Sequence, residues 1–169
     1  MTDLAKIAKA MVAKGKGILA ADESSGTIKK RFDSISVDST ETNRRDYREM
    51  LFSAKEAMTN HISGVILYDE TLRQKAKDCT PLAAMIKAAG AVPGIKVDKG
   101  AVDLPGFPGE KITEGLDGLA QRLKEYHDLG ARFAKWRAVI DINGHGIPSK
   151  YGIATSASRR RWSRTCCSA

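Results

Sequence analysis

Charged side chains interrupt two otherwise apolar segments of the chain. Lys96 and Asp98 alternate with isoleucine and valine. Lys135 and Arg137 alternate in the same way with alanine and tryptophan. In a β-strand, this period of two puts the charges on one face and the apolar side chains on the other. Because a buried lysine or arginine is costly unless it is paired, such faces inside a sheet favour an anionic ligand.

The alternation is also compatible with two arrangements that need no ligand. Lys96 and Asp98 could form a satisfied ion pair inside the protein. Lys135 and Arg137 could point to solvent if their segment is an edge strand. The pattern by itself leaves these alternatives open.

Four short apolar runs alternate with segments of helical composition. The runs are 17–22, 64–69, 94–99 and 133–140, and the helical segments are a first helix opening near Thr2 followed by 43–60, 81–89 and 116–129. This order predicts βαβ units and a parallel sheet with right-handed connections. Asp22 closes the first run, at the carboxyl end of a strand, where barrel enzymes place their active sites.

The composition excludes several classes of protein. With 42% apolar and 28% charged residues over 169 positions, the chain is typical of one globular domain. No run approaches the roughly 20 apolar residues of a membrane span, and the N-terminus lacks a signal-peptide core. We therefore expect a cytoplasmic protein without a membrane partner. Cys79, Cys166 and Cys167 fit neither a disulfide scaffold nor a zinc site, so no metal is expected.

The net charge of +8 does not indicate nucleic-acid binding. Half of it comes from four arginines in the segment 156–169, which contains no acidic residue. The rest of the chain carries charges of both signs without interleaved aromatic residues. We therefore expect no nucleic-acid partner.

Six segments together resemble class I fructose-bisphosphate aldolases, in the family's order and spacing. They are GILAADESSGTIKKRF at 17–32, NRRDYREMLF at 43–52, GVILYDETLRQK at 64–75, GIKVDKG at 94–100, GLDGLAQRL at 115–123 and FAKWRAVI at 133–140. The resemblance runs from residue 1 to Thr155. It implies an α/β fold, with domain 1–155 forming about the first four βα units of a (β/α)8 TIM barrel.

The resemblance also implies catalytic roles. Asp22 matches the family's aspartate that assists proton transfer around the C3 and C4 hydroxyls of the substrate. Lys96 matches a lysine that contacts catalytic and substrate groups, and Lys135 matches the lysine beside the Schiff-base lysine. Arg137 matches an arginine near the distal phosphate.

A second set of residues resembles the family's substrate ligands. Arg31 and Arg44 match arginines associated with phosphate binding, and Ser24 and Thr27 are hydroxyl candidates on the same loop as Arg31. Solvated surface charge is the alternative for the two arginines, and it weighs most for Arg44.

The implied reaction is the reversible cleavage of fructose 1,6-bisphosphate to dihydroxyacetone phosphate and glyceraldehyde 3-phosphate in glycolysis. A lysine forms an iminium with the substrate ketone, which accepts the electrons of the broken bond without a metal or other cofactor. The family supplies that lysine from the sixth strand, and this chain carries the first four. Class I members form homo-oligomers. We therefore expect a phosphorylated sugar as ligand, and no turnover by these 169 residues alone.

The segment 156–169 departs from the family. Its sequence, SASRRRWSRTCCSA, is rich in arginine, serine and cysteine where the family continues with an alanine-rich helix. We interpret it as a basic tail outside the family, expect it to be disordered, and hypothesise a frameshift or truncated gene model. Binding of nucleic acid is the competing interpretation, but four arginines offer few phosphate contacts.

The sequence leaves two further functions open. Transaldolase-like barrels carry their reactive lysine on the fourth strand, so Lys135 could act as a nucleophile. Alternatively, the chain could be a non-catalytic fragment that binds phosphorylated sugars or the subunits of an intact aldolase.

Overall fold

The computed structural model describes residues 3–143 and 146–166. They fall into two compact units. The first unit combines 1–96 with 126–134, and the second combines 97–125 with 135–169. The predicted N-cap, Thr2, lies outside the described residues.

Helices and strands alternate along most of the chain. The helices are α1 Asp3–Met11, α2 Ser25–Asp33, α3 Glu41–Ser53, α4 Lys55–His61, α5 Asp69–Arg73, α6 Leu82–Ala88, α7 Leu119–Asp128 and α8 Lys150–Cys166. The strands are β1 Gly17–Ala21, β2 Ile62–Leu67, β3 Val92–Lys96, β4 Ala101–Asp103, β5 Lys111–Thr113 and β6 Phe133–Lys135.

Four of the strands form one sheet, in the order β1-β2-β3-β6. The pairs β1–β2 and β2–β3 are parallel. The remaining strands, β4 and β5, pair as an antiparallel hairpin in the second unit. The predicted α/β fold with a parallel sheet is therefore confirmed, and all four predicted strands are present.

The two faces of this sheet differ in burial. On one face, Val65 and Leu67 of β2 and Ile95 of β3 are at most 1% exposed. On the opposite face, Ile18 of β1 is 43% exposed and Lys96 is half-buried. Because side chains alternate along each strand, the apolar residues form the core, and Lys96 lies on the more open face.

Two glycines allow β6 to lie beside β3. A Cβ atom on Gly94 of β3 would lie 2.3 Å from the Phe133 ring, and one on Gly64 of β2 would lie 3.3 Å from it. The ring therefore occupies space that any side chain at position 94 would fill.

Several element boundaries differ from the sequence-based expectations. The predicted helix 43–60 is wrong as one element, because Ala54 takes a non-helical ψ of 71° and separates α3 from α4. The third and fourth strands end at Lys96 and Lys135, so Asp98 and Arg137 lie beyond them. The helices α2, α5 and α8 and the β4–β5 hairpin were not predicted.

The segment predicted to be a disordered tail is largely helical. The helix α8 continues through Thr155 to Cys166. No glycine or proline occurs between Thr155 and the end of α8, so nothing in the local sequence breaks the helix. The structure thus has a helix within this segment, and the interpretation of 156–169 as a disordered tail stays a prediction. Within the described ranges, none of the helices is long and apolar enough to cross a membrane.

Replacing Gly94 with alanine tests the packing under Phe133. We expect Gly94→Ala to lower the free energy of unfolding by about 2 kcal/mol, because the added methyl group overlaps the ring. Urea denaturation followed by circular dichroism would measure the change. Gly26→Ala in α2 is the matched control, since a Cβ there meets nothing within 4 Å. An unchanged urea midpoint for Gly94→Ala would show that the ring does not occupy this space.

Candidate active site

Three side chains stand in one row at the carboxyl ends of the parallel strands. After a register shift between Gly17 and Ile18, the pairing of β1 with β2 runs regularly to the end of β2, as does that of β2 with β3. One step further in the same register come Asp22, Tyr68 and Lys96. Tyr68 keeps an extended backbone, with φ −87° and ψ 156°, so the alternation of side chains continues through it. A carboxylate, a phenol and an ammonium group therefore share one face of the first unit.

Tyr68 is the member of this row that sequence reasoning missed. It is half-buried, as are Asp22 and Lys96. The signal was present in the sequence, because Tyr68 continues the period of two from Gly64 through Ile66. The phenol of Tyr68 is neutral, so a search of the pattern for charged residues does not find it.

The two predicted hydroxyls lie together at the start of α2. Ser24 is the N-cap residue of this helix, and its Oγ lies 3.1 Å from Oγ1 of Thr27, at hydrogen-bonding distance. Ser24 is half-buried and Thr27 is exposed. The loop that follows Asp22 thus presents two hydroxyl groups next to the row.

Glu23 organises this loop through two arginines. One carboxylate oxygen accepts a hydrogen bond from Arg31, and the other accepts one from Arg48 of α3. The Arg31 side chain is 58% exposed, whereas that of Arg48 is 2% exposed. The side chain of Arg31, a predicted phosphate ligand, therefore stays accessible while it is bound to the residue that follows Asp22. Sequence reasoning missed Arg48, which lies within a charged segment that is typical of a helix surface.

Arg44 has a different environment from the one expected of a phosphate ligand. Its Nε donates to Glu70 Oε2 at 2.8 Å, and its Nη2 donates to Glu70 Oε1 at 2.5 Å. A third nitrogen donates to the backbone oxygen of Ser39. The hydrogen bonds to Glu70 are the main cause that raises the pKa of Arg44 above its ordinary value. The guanidinium is therefore already occupied by protein groups, and it is not a solvated surface charge either.

The second unit contains Lys135 and Arg137. Lys135 is half-buried, and its carbonyl oxygen accepts a hydrogen bond from Val97 N–H at 3.1 Å. Arg137 is exposed. The prediction that it lies on a strand with Lys135 is wrong, because β6 ends at Lys135. Hydrogen bonds with side chains, rather than with a neighbouring strand, hold the backbone of Arg137 in place.

Two buried side chains hold the peptide of Arg137. The Asp98 carboxylate, 7% exposed, accepts the Arg137 N–H at 3.2 Å. The Thr113 hydroxyl, 4% exposed, donates to the Arg137 carbonyl oxygen at 2.8 Å. Asp98 thus has a backbone partner in its own unit, which explains how a buried carboxylate is tolerated there.

Comparison with known proteins identifies the family of this chain. The family model described as "Glycolytic: Fructose-bisphosphate aldolase class-I" matches residues 3–169. The chain belongs to the class I fructose-bisphosphate aldolase family. This confirms the resemblance noted from the six segments. The matched range also includes the segment after Thr155, and the assignment of that segment as foreign to the family stays a prediction.

Aldolases from distant organisms are similar to this chain. A probable class 1 aldolase of Xanthomonas axonopodis is 57% identical over 164 residues, which are 96% of this chain and 48% of the relative. A cytosolic aldolase of Arabidopsis thaliana is 57% identical over 143 residues, which are 85% and 39% of the two chains. The chain therefore spans about half the length of the relatives it matches.

A solved aldolase structure has the same fold over the matched region. It is that of Plasmodium falciparum aldolase in complex with TRAP and a small-molecule inhibitor. The TM-score is 0.93 at 47% identity, over 97% of this chain and 47% of the other. The sheet of alternating βα units is thus part of an aldolase TIM barrel.

A double-mutant cycle distinguishes a structural Arg44 from a phosphate ligand. We expect Arg44→Gln and Glu70→Gln to show a coupling of about 1 kcal/mol in the free energy of unfolding, because the pair is partly buried and has two hydrogen bonds. Urea titrations of the four proteins would measure it. The exposed pair Lys29–Asp33 on α2 serves as control and should couple by about 0.3 kcal/mol. A coupling near zero at Arg44 would leave the guanidinium available for phosphate.

Proposed function

We propose that this chain is the N-terminal half of an aldolase that reversibly cleaves fructose 1,6-bisphosphate to dihydroxyacetone phosphate and glyceraldehyde 3-phosphate. The observation that carries the proposal is the row of Asp22, Tyr68 and Lys96, at the carboxyl ends of parallel strands in a member of this family. Active sites of such barrels lie at that end of the strands.

Asp22 is the proton-transfer group in this proposal. Cleavage of the C3–C4 bond requires removal of the proton from the C4 hydroxyl, while the bond electrons flow to the iminium at C2. A half-buried carboxylate at a strand end can accept that proton and return it in the reverse reaction. The lysine that forms the iminium comes from the part of the barrel that follows these four strands.

The basic residues bind and polarise the substrate in this proposal. Lys96 and Lys135 are half-buried ammonium groups, and nearby cations favour the neutral form of a reactive lysine. Arg31 and Arg137 have exposed guanidinium groups that suit the two phosphates, and Ser24 and Thr27 offer hydroxyl donors. Arg44 is left out of the substrate site, because Glu70 occupies its guanidinium.

A polypeptide of these 169 residues should not turn over substrate by itself. Within the described ranges its main sheet has four strands, with edges that offer unpaired backbone groups to another chain. We propose that it needs the remaining strands of the barrel, that the assembled protein is a homo-oligomer, and that it acts in the cytosol.

A complementation assay tests the proposal. This chain would be co-expressed with the unmatched second half of the Xanthomonas axonopodis relative, and fructose 1,6-bisphosphate cleavage would be followed by a coupled assay of triose phosphate. We expect activity from the pair and none from either half. Asp22→Asn should lower kcat by at least about 100-fold, because proton transfer is lost. Asp117→Asn, at an exposed position, is the matched control and should leave kcat unchanged.

Two results would contradict the proposal. Cleavage by the 169-residue chain alone would show that no second half is required. A borohydride-stable adduct of dihydroxyacetone phosphate on Lys135 would assign the nucleophile to this chain and favour the transaldolase-like function instead.

A further inference from the structure

The loop after Asp22 is held by a buried ion pair, which the charge pattern of the sequence does not reveal. We propose that Glu23 and Arg48 are positioning residues that fix the Asp22 carboxylate and the Arg31 guanidinium for substrate. This inference rests on the proposed function and adds to it two residues with no assigned role.

Arg48 holds Glu23 at two points. One guanidinium nitrogen donates to the Glu23 carboxylate, and Nη2 donates to the backbone oxygen of Glu23 at 3.3 Å. The side chains of Arg48 and Glu23 are 2% and 8% exposed. Because both the side chain and the peptide are held, the backbone that follows Asp22 has little freedom to rotate. Anchoring of this kind is what a catalytic carboxylate needs, since small displacements cost large factors in rate.

The pair is poorly explained by stability alone. Desolvation of two charges offsets most of their attraction, and apolar pairs of similar volume are often at least as stable. In addition, Nε of Arg48 is buried and has no hydrogen-bond partner in the described part of the chain. An unsatisfied buried donor typically costs about 1–3 kcal/mol. A costly arrangement next to a predicted catalytic residue indicates that it determines geometry.

Glu23 also sets the position of Arg31. Its second carboxylate oxygen accepts from Arg31, whose side chain remains 58% exposed. Arg48 occupies the other oxygen, so Glu23 cannot bind Arg31 through both. Arg31 is thereby kept near the loop while part of its guanidinium stays available to a phosphate. Without Arg48, Glu23 would be free to bind Arg31 at two points and would compete with phosphate.

Kinetics of the complemented enzyme test the effect on Asp22. We expect Arg48→Lys, which cannot hold both oxygens in the same geometry, and Glu23→Gln to lower kcat by about 10- to 100-fold. Asp33→Asn, which removes an exposed pair on the neighbouring α2, is the control and should leave kcat unchanged. Loss of activity must exceed any loss of folded protein, measured by circular dichroism on the same samples.

A double variant separates positioning from folding. In Glu23→Gln/Arg48→Gln both charges are removed, so no unpaired charge remains buried. We expect this protein to fold and to remain at least about 10-fold slower than the unmodified pair of halves. Failure of the double variant to fold would overturn the inference, because the pair would then be required for the structure itself. Activity within about twofold of the unmodified protein would overturn it as well.

A binding measurement needs no turnover and keeps this inference distinct from the proposed function. Inorganic phosphate would be titrated into the 169-residue chain, with the Arg31 Nε–H resonance followed by NMR. We expect Arg48→Lys to weaken the phosphate affinity at Arg31 at least about threefold. Equal affinities would refute the inference even if complementation succeeds. Weakened phosphate binding without any complemented activity would support it and refute the proposed function.

Discussion

The fit of one aromatic ring against two glycines is the constraint on which the four-stranded sheet depends. Phe133 lies where a side chain on Gly94 would stand, and it also touches the space above Gly64. Close packing leaves no room for a methyl group on Gly94 beneath this ring, whereas a methyl group on Gly64 would make only a tight contact at 3.3 Å. Lys135 follows Phe133 at the next position on the same face of β6. The two glycines therefore leave room for the Phe133 ring of β6.

The alternation of side chains along the strands gives the two faces of the sheet different roles. Val65, Leu67 and Ile95 are buried and stabilise the first unit through the hydrophobic effect. The opposite face carries Ile18, Gly64 and Gly94 together with Lys96, which is half-buried. Because a lysine on the buried face would lose its hydration, the period of two is what allows charge and core to occupy the same short strand.

Features with local signals could be predicted from the sequence, and features made by distant contacts could not. The parallel strands, Asp22 and Lys96 follow from apolar runs and alternation. The strands were predicted to extend to Asp98 and Arg137, but they end earlier. A strand ends where the neighbouring strand stops pairing with it, and the sequence of one segment does not show where that happens. Arg48 was missed because its partner Glu23 lies 25 residues away, and in sequence it looks like any exposed helical arginine. The pairing of Arg44 with Glu70 was missed for the same reason, since the two residues are 26 positions apart.

These two arginines give the segment NRRDYREMLF one structural role, which is to bind the chain at the ends of two strands. Arg44 and Arg48 are four residues apart, so they lie on one side of α3. Arg48 binds Glu23, which follows Asp22 directly, and Arg44 binds Glu70, two residues beyond Tyr68. The helix α3 therefore holds the chain just after β1 and just after β2. These are the ends of the two strands that lead into Asp22 and Tyr68. A charge run that reads as a solvated helix surface in sequence thus connects two neighbouring strand ends, and a helix with only one of these arginines would leave one of them unanchored.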